Sequence, residues 1–265
     1  RGVLLSMNEI RDPSPAVGRA MRILEALEAS GGAPQSLSDI ARTVGIAKSS
    51  ASNICAALER ERMIHRAGSG YRLGMRTAEL GGAFAAQFNQ VREFFEVVEE
   101  HPVLARHVVQ IATLDASDAL YLARHEGRRH RLGTPLGSRL PLIYCAVGSA
   151  MLMPMPDPEI APLVEEQVKA PRTARSARSP EVVWDRLRAA RRAGYAVDPG
   201  ESFEGIHGIA APLPPWQPGD PHMAIGVALP ADEADEATVA ALGDAVIDAA
   251  QRLTNPLARR PETRA

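Results

Sequence analysis

A short run of small polar side chains, with one cation, stands out in the first quarter of the chain. Short side chains with donors and acceptors can reach base edges while the backbone comes close to a DNA major groove. A lysine beside them can pair with a phosphate. The run therefore offers contact with nucleic acid, and its members are Lys48, Ser49, Ser50, Ser52 and Asn53.

Two helices around a tight turn would hold this run in place. Apolar residues recur at helical spacing on both sides of Gly45, a residue type suited to the left-handed conformation that ends a helix. When these apolar residues face inward, the polar run lies at the exposed start of the second helix. The inward residues are Leu37, Ile40, Ala41, Val44, Ala51, Ile54, Cys55 and Leu58.

A hairpin follows the two helices. Residues 63–65 and 71–73 read as short strands around the glycine-rich turn 67–70. Arg66 and Arg72 flank this hairpin, where they can meet phosphates or a minor groove. The pattern predicts a winged helix-turn-helix over residues 15–74. A plain helical hairpin is the alternative, and the polar helix start and the glycine-rich wing argue against it.

Length and charge limit the rest. The chain has 265 residues and a net charge of -2, enough for one large or two ordinary domains. Up to Leu80 there are eleven basic and eight acidic residues, so this part carries +3 and the remainder -5. A basic head on an acidic body fits DNA binding.

Cysteine count and hydropathy exclude several classes. The two cysteines, Cys55 and Cys145, give no disulfide framework and no cysteine-rich zinc site. No apolar run approaches the ~20 residues that span a bilayer. We therefore expect a cytoplasmic protein without cofactor, metal or membrane partner.

The segments around the head have simpler patterns. Residues 1–14 read as a mobile arm. The first helix opens at Pro15 and supports the two that follow, and its Arg19 is placed to reach the DNA backbone or solvent. Residues 75–100 read as one linker helix, with a weak point at Gly81–Gly82. Its apolar stripe favours pairing with a second subunit over burial against its own body. The stripe comprises Leu80, Phe84, Phe88, Val91, Phe95 and Val98.

The body, residues 101–254, alternates strands and helices in an order typical of an α+β domain with an antiparallel sheet. A helix is predicted from Pro102, another over Leu142–Met153, and a mobile loop over 157–179. That loop contains Arg172, Arg175 and Arg178. The tail, 255–265, is predicted to be disordered.

Three stretches resemble the IclR family of bacterial transcription regulators. The first is the head with its wing, Gly70-Tyr71-Arg72-Leu73-Gly74. The second is Leu136-Gly137-Ser138-Arg139-Leu140-Pro141-Leu142. The third is Arg192 to Glu201, followed by Gly205 and by Ile209-Ala210-Ala211-Pro212. The resemblance covers about Ser14 to Leu253. It implies a winged head, a linker helix and a GAF-like effector domain. It also implies a homodimer or tetramer, repression through an operator in double-stranded DNA, and a small organic acid as effector.

The resemblance also implies a ligand pocket beside the helix that follows Pro141. Well-known small-acid binders of the family carry a cysteine where Gly208 stands, and serines where Gly226 and Ala228 stand. Without those groups we expect more room and a larger, aromatic or otherwise apolar acid. The predicted effector residues are Leu140, Leu142, Cys145, Ala146, Asp198, His207, Gly208, Gly226 and Ala228.

Other interpretations of the body stay open at this point. Cys145, His207 and Asp198 have the residue types of a hydrolase triad, although nothing in the sequence lowers the pKa of the thiol. His125, Glu126 and His130 could hold a metal. A regulator that binds no ligand is the third alternative.

Overall fold

The computed structural model describes residues 14–127, 134–217 and 219–255. The predicted arm and tail lie outside these residues, except for Ser14 and Asn255. The chain divides into two compact units, residues 1–84 and 85–265. Within the described residues, no helix is both long and apolar enough to cross a membrane.

The first unit begins with three helices: α1 (Pro15–Ala29), α2 (Leu37–Val44) and α3 (Lys48–Arg60). Gly45 ends α2 with a φ of 71°, as the sequence predicted. The Ser36 hydroxyl caps α2 by accepting a hydrogen bond from the Asp39 amide at 3.2 Å. The apolar faces of the helices meet in one core, which includes Ile23, Leu27, Ile40, Cys55, Ile64 and Tyr71.

A two-stranded antiparallel hairpin follows, formed by β1 (Ile64–Ala67) and β2 (Gly70–Leu73). The Tyr71 backbone also exchanges two hydrogen bonds with Gln35, of 2.8 and 2.9 Å. A β-carbon at Gly70 would lie 2.8 Å from the Gln35 carbonyl oxygen. Glycine is therefore required where the wing packs against the strand-like residue before α2.

Two helices stand where the sequence predicted one. They are α4 (Met75–Ala85) and α5 (Asn89–Glu100), so the break lies after the predicted weak point at Gly81–Gly82. Phe94 and Val98 on α5 are fully buried within the second unit. Of the two alternatives for this apolar stripe, burial against the chain's own body domain therefore holds for α5. Met75, Leu80 and Phe84 on α4 are exposed.

The second unit is built on a six-stranded antiparallel sheet with the order β5-β4-β3-β8-β7-β6. The strands are β3 (Val108–Asp115), β4 (Asp118–Glu126), β5 (Arg139–Pro141), β6 (Ala196–Asp198), β7 (Ile206–Leu213) and β8 (Met223–Pro230). The remaining helices are α6 (Ala146–Leu152), α7 (Asp157–Gln167), α8 (Pro180–Ala193) and α9 (Glu236–Arg252). The predicted α+β class is confirmed.

The sheet has a core on each face because side chains alternate along a strand. Helix α6 packs on one face, where Ala112, Tyr121, Ala210 and Ala224 lie. Helices α5 and α9 cover the other face, where Ile111, Ile209 and Ile225 are buried.

Three predicted elements of the body are wrong. Residues 142–145 form a turn, so the helix predicted from Leu142 begins only at Ala146. The helix predicted from Pro102 is a single 3-10 turn, Leu104–Arg106. Residues 157–167 form α7 instead of a loop, because Pro158 occupies the first turn, where its missing N–H costs no bond. Ile160 and Val164 then anchor this helix by burial.

Candidate nucleic-acid interface and ligand cavity

The start of α3 is an open, positively charged surface. Its N-cap is Ala47, which offers no side-chain hydrogen bond, and its first turn contains no acidic residue. Lys48 and Ser49 are exposed there, whereas Ser50 is half-buried. The first N–H groups of a helix have no partner within it, and together with a lysine they attract a phosphate.

Ser52 and Asn53 extend the same surface along α3, and both are exposed. Ala51 and Cys55 are completely buried in the head's core. The core therefore fixes the helix on one side, while the polar run faces solvent. The structure brings together all five residues that the sequence selected on this helix. Their role in binding DNA stays a prediction.

The basic residues of the wing differ in how far their side chains are engaged. Arg66 lies with its guanidinium 5.2 Å from the centre of the Tyr71 ring, and its Nε is 3.4 Å from Glu59. Arg72 is exposed and forms no ion pair with any residue that the structure describes. Arg19 on α1 is half-buried. Arg72 is therefore the wing cation best placed to meet a phosphate.

The body contains a cavity between α6 and the sheet. It encloses about 430 Å³ of empty space with its mouth included, of which about 50 Å³ can hold the centres of water molecules. This cavity has room for a few waters. Its described lining comprises Gln110, Tyr121, Thr134, Leu140, Cys145, Ala146, Val147, Asp198, Ser202, Phe203, Ile206, Gly208, Gly226, Val227 and Ala228.

Seven of the nine predicted effector residues line this cavity, and two do not. Leu142 lies in the turn before α6 and is 1% exposed within the apolar core. His207 alternates with Ile206 and Gly208 on β7, so its side chain lies on the opposite face of the sheet. Both predictions are corrected: neither residue belongs to the lining.

The sequence missed eight lining residues, and strand alternation could have found some of them. Gln110 and Tyr121 lie on the α6 face of β3 and β4, but neighbouring strands had to be paired first. Ser202, Phe203 and Ile206 come from an irregular segment after β6, which no periodic pattern marks. The other missed residues are Thr134, Val147 and Val227.

The glycines of the lining do not enlarge the cavity, contrary to our expectation. A β-carbon at Gly226 would lie 2.7 Å from Val147 Cγ1, and one at Gly208 would lie 3.0 Å from the Ala146 β-carbon. Both positions are filled by α6, which approaches the sheet closely. Glycine here allows a helix to pack, and it does not leave space for a ligand.

Asp198 is the charged group of the lining. Its carboxylate accepts hydrogen bonds from the backbone amides of Gly200 at 2.9 Å and Glu201 at 2.6 Å. Burial raises the pKa of this carboxyl to about 7, although the backbone hydrogen bonds from Gly200 and Ser202 oppose the shift. Arg186 pairs with the buried Glu201 just behind it. Asp198 can therefore change its charge near neutral pH.

Cys145 lacks the features of a nucleophile. Burial raises the pKa of its thiol to about 12, and the thiol donates to the Pro141 carbonyl at 3.5 Å. A reactive cysteine needs the opposite shift, since the thiolate is the attacking form. With His207 on the other face of the sheet, the geometry does not form the hydrolase triad.

The metal alternative gains no support from the described residues, which contain no group of three metal-binding side chains. His125 Nε2 lies 3.1 Å from the Ala105 carbonyl oxygen, and this contact uses one of the two ring nitrogens. His130, the other histidine of that hypothesis, lies outside the described residues.

Comparison with known proteins matches both units to one family. Residues 91–255 match the family described as bacterial transcriptional regulator IclR C-terminal, and residues 16–68 match the IclR helix-turn-helix domain. The HTH-type transcriptional repressor AllR of Salmonella paratyphi A is 25% identical over 249 residues, 93% of this chain and 91% of its own.

Solved structures have the same fold. The Thermotoga maritima IclR structure superposes with a TM-score of 0.75 at 22% identity, covering 90% of this chain and 97% of its own. An IclR homologue from Microbacterium hydrocarbonoxydans, complexed with 4-hydroxybenzoate, has a TM-score of 0.75 at 25% identity. It covers 90% of this chain and 98% of its own.

Proposed function

The chain belongs to the IclR family of bacterial transcriptional regulators, and we propose that it is a repressor controlled by a small organic acid. The acid would occupy the cavity beside α6 and change the affinity of the head for an operator. One observation carries the proposal: a single chain holds both an exposed, uncapped recognition helix and a lined cavity.

On the DNA side, Lys48, Arg72 and the free N–H groups of α3 would contact phosphates. Ser49, Ser52 and Asn53 would lie against base edges, because they continue along the exposed face of α3. Arg66 would pack the wing through Tyr71 and reach the backbone from there. The repressor role is supported by the AllR relatives, which are named as repressors.

We propose an acid with an apolar, aromatic body as the effector. The lining supports this choice, because Tyr121, Leu140, Phe203 and Ile206 surround Asp198 with apolar surface. A homologue that is 25% identical is complexed with 4-hydroxybenzoate. Because the cavity holds only a few waters, such an acid requires the wall to move outward. Phe203 is the exposed member of the lining and is placed to move.

The ligand class is tested by calorimetry with two sets of acids. Benzoate and 4-hydroxybenzoate should bind more tightly than glyoxylate and pyruvate, since they bury more apolar area. Tighter binding of the small keto acids would overturn the aromatic choice. Absence of binding by every acid would instead favour a regulator that works without a ligand.

A second copy of the chain is the proposed protein partner. Met75, Leu80 and Phe84 are 79%, 52% and 42% exposed on α4, more apolar surface than a solvated helix needs. A two-fold pair would also present two recognition helices to an operator with two half-sites. Sedimentation should give a dimer or tetramer that Leu80→Asp with Phe84→Asp dissociates, and an unchanged mass would argue against this surface.

A further inference from the structure

The arginine run of residues 172–178 packs against a segment of the cavity wall. Thr173 Oγ1 donates to the Gly200 carbonyl at 2.9 Å, and Ser176 Oγ donates to the Glu201 carbonyl at 2.9 Å. The Ala177 amide also donates to Glu201 Oε1 at 2.6 Å. The run is thus fastened to the segment that follows Asp198, and this segment supplies Ser202 and Phe203 to the cavity.

Phe203 marks the entrance. Its side chain is 37% exposed, whereas Asp198, Ser202 and the lining residues of β3, β4 and α6 are buried. The guanidinium of Arg172 lies over this ring, 5.7 Å from its centre. That distance is within the range of a cation–π contact. Arg172 is itself exposed and forms no ion pair with any described residue. A cation therefore covers the aromatic side chain at the mouth of the cavity.

The interior of the cavity lacks a positive side chain. Its described lining contains no lysine, arginine or histidine, and its one ionisable carboxyl is Asp198. An organic acid would thus meet positive charge at the mouth, from Arg172 and from Arg175, whose Nη1 donates to the Pro199 carbonyl at 3.1 Å. Glu204 is the exposed acid beside Phe203, and it reduces this charge without cancelling two arginines.

We propose that Arg172 and Phe203 form a gate that admits anions to the cavity in preference to neutral molecules of the same shape. This inference rests on the proposed function, because it assigns the selection of the acid to residues at the entrance. The ring would swing outward with the ligand's entry, and the guanidinium would attract the carboxylate and then return over the ring. Electrostatic attraction of this kind acts on the rate of entry and weakens with salt.

Alkylation of Cys145, which lines the cavity, measures how fast a reagent enters the cavity, and it requires neither an effector nor DNA. Iodoacetate and iodoacetamide have nearly the same size and differ in charge. In both reactions the thiolate sulfur attacks the methylene carbon, a C–S bond forms and iodide leaves. Since both need the same thiolate, the ratio of their rates cancels the high pKa of the thiol. Mass spectrometry of the Cys145 peptide separates this reaction from that of Cys55, which is buried in the head.

The full-length chain should show a rate ratio, iodoacetate over iodoacetamide, that falls about two- to five-fold in Arg172→Gln at low salt. Arg178→Gln is the matched control, because Arg178 is exposed on the same run and it is Arg172 whose guanidinium lies over the Phe203 ring. It should leave the ratio unchanged. Phe203→Ala should raise both rates together. High salt should reduce the difference between the wild type and Arg172→Gln.

An unchanged ratio in Arg172→Gln, or an equal fall in Arg178→Gln, would overturn the gate. Failure of the gate and failure of the proposed function are distinguishable, because alkylation requires neither an effector nor an operator. If the rate ratio changes in Arg172→Gln but the chain binds no organic acid, the gate is supported and the proposed effector is wrong. If the chain binds an acid but the ratio does not change, the effector is supported and the gate is wrong.

Discussion

The starts of α3 and α6 are two helix N-termini without a side-chain cap, and they differ in exposure and charge. The start of α3 is exposed and carries the positive charge of Lys48. In contrast, Ala146 at the start of α6 is 6% exposed and lines the same cavity as Asp198. Backbone N–H groups are the same chemical groups in both places. In the head they meet water and suit a polyanion, and in the body they suit a small, desolvated ligand.

Because of this difference, specificity for a DNA sequence and specificity for a ligand would depend on different features in the two units. Phosphate contacts in the head would not depend on base sequence, so we propose that its discrimination depends on Ser52 and Asn53 along α3. In the cavity we propose that discrimination depends on how closely α6 packs and on the charge of Asp198. Changes at these two places should therefore affect different quantities.

The largest expected effect concerns the charge of the cavity. The folded pKa of Asp198 is about 7, above the ordinary value of 3.8, so the folded chain keeps this proton longer than the unfolded chain. The contribution of protonated Asp198 to the free energy of unfolding is fully present below about pH 4 and is lost as the pH rises to 7. The loss is on the order of 4 kcal/mol at most, from about three pKa units.

Asp198→Asn keeps an acceptor for Gly200 and Glu201 but does not ionise. The free energy of unfolding of the wild type should therefore fall relative to this variant between pH 4 and 7. Above pH 7, carboxylate affinity should weaken in the wild type only, because the ionised Asp198 repels the ligand. Urea titrations at several pH values check the first result. Parallel stability curves would contradict a titrating carboxyl in the cavity.

A second prediction concerns the packing of α6. Gly226→Ala places a β-carbon 2.7 Å from Val147 Cγ1, so it should destabilise the chain by about 1–3 kcal/mol. Val147→Ala in the same chain should remove part of that cost, and a double-mutant cycle by urea denaturation measures the coupling.

Gly82→Ala on α4 is the control, since a β-carbon there meets nothing within 4 Å. It should be neutral or slightly stabilising. A Gly226→Ala variant as stable as the wild type would mean that the space beside Gly226 is available to a ligand. That result would restore the roomier cavity that the sequence alone suggested.

The smallest expected effects concern the head. Lys48→Ala and Arg72→Ala should each weaken operator binding a few-fold on all sequences and reduce the salt slope by about 1, because each removes one phosphate contact. Asn53→Ala should instead relax preference at one base position. Anisotropy titrations at several salt concentrations measure both. A uniform loss from Asn53→Ala without any change in preference would contradict base contact.

The two regions also differ in how much of each the sequence predicted. The end of α2 at Gly45 and the start of α3 at Lys48 agree with the prediction, because helical spacing and Gly45 are local signals. The resemblance located seven cavity residues, yet it could not tell that Leu142 lies in a turn or that His207 lies on the face of the sheet opposite the cavity. Those positions depend on the residue at which α6 begins and on which residues of β7 face the cavity.

Tertiary packing decided the remaining differences. Pro158 and Pro162 suggested a broken loop, but the burial of Ile160 and Val164 favours α7. The predicted apolar stripe over residues 75–100 is divided between two helices. Its members Val91 and Val98 are buried on α5, whereas Phe95 on α5 and Leu80 and Phe84 on α4 are exposed. A stripe gives the spacing of apolar residues and does not say which surface covers them.

The most direct test of the central claim is an operator titration with and without an acid that binds the cavity. Full-length protein would be titrated onto DNA from upstream of its own coding region, in 4-hydroxybenzoate and in buffer alone. We expect specific binding whose affinity the acid changes by about 5- to 150-fold, with an equal change in acid affinity when operator is present. Specific DNA binding that no cavity-bound acid alters would contradict it.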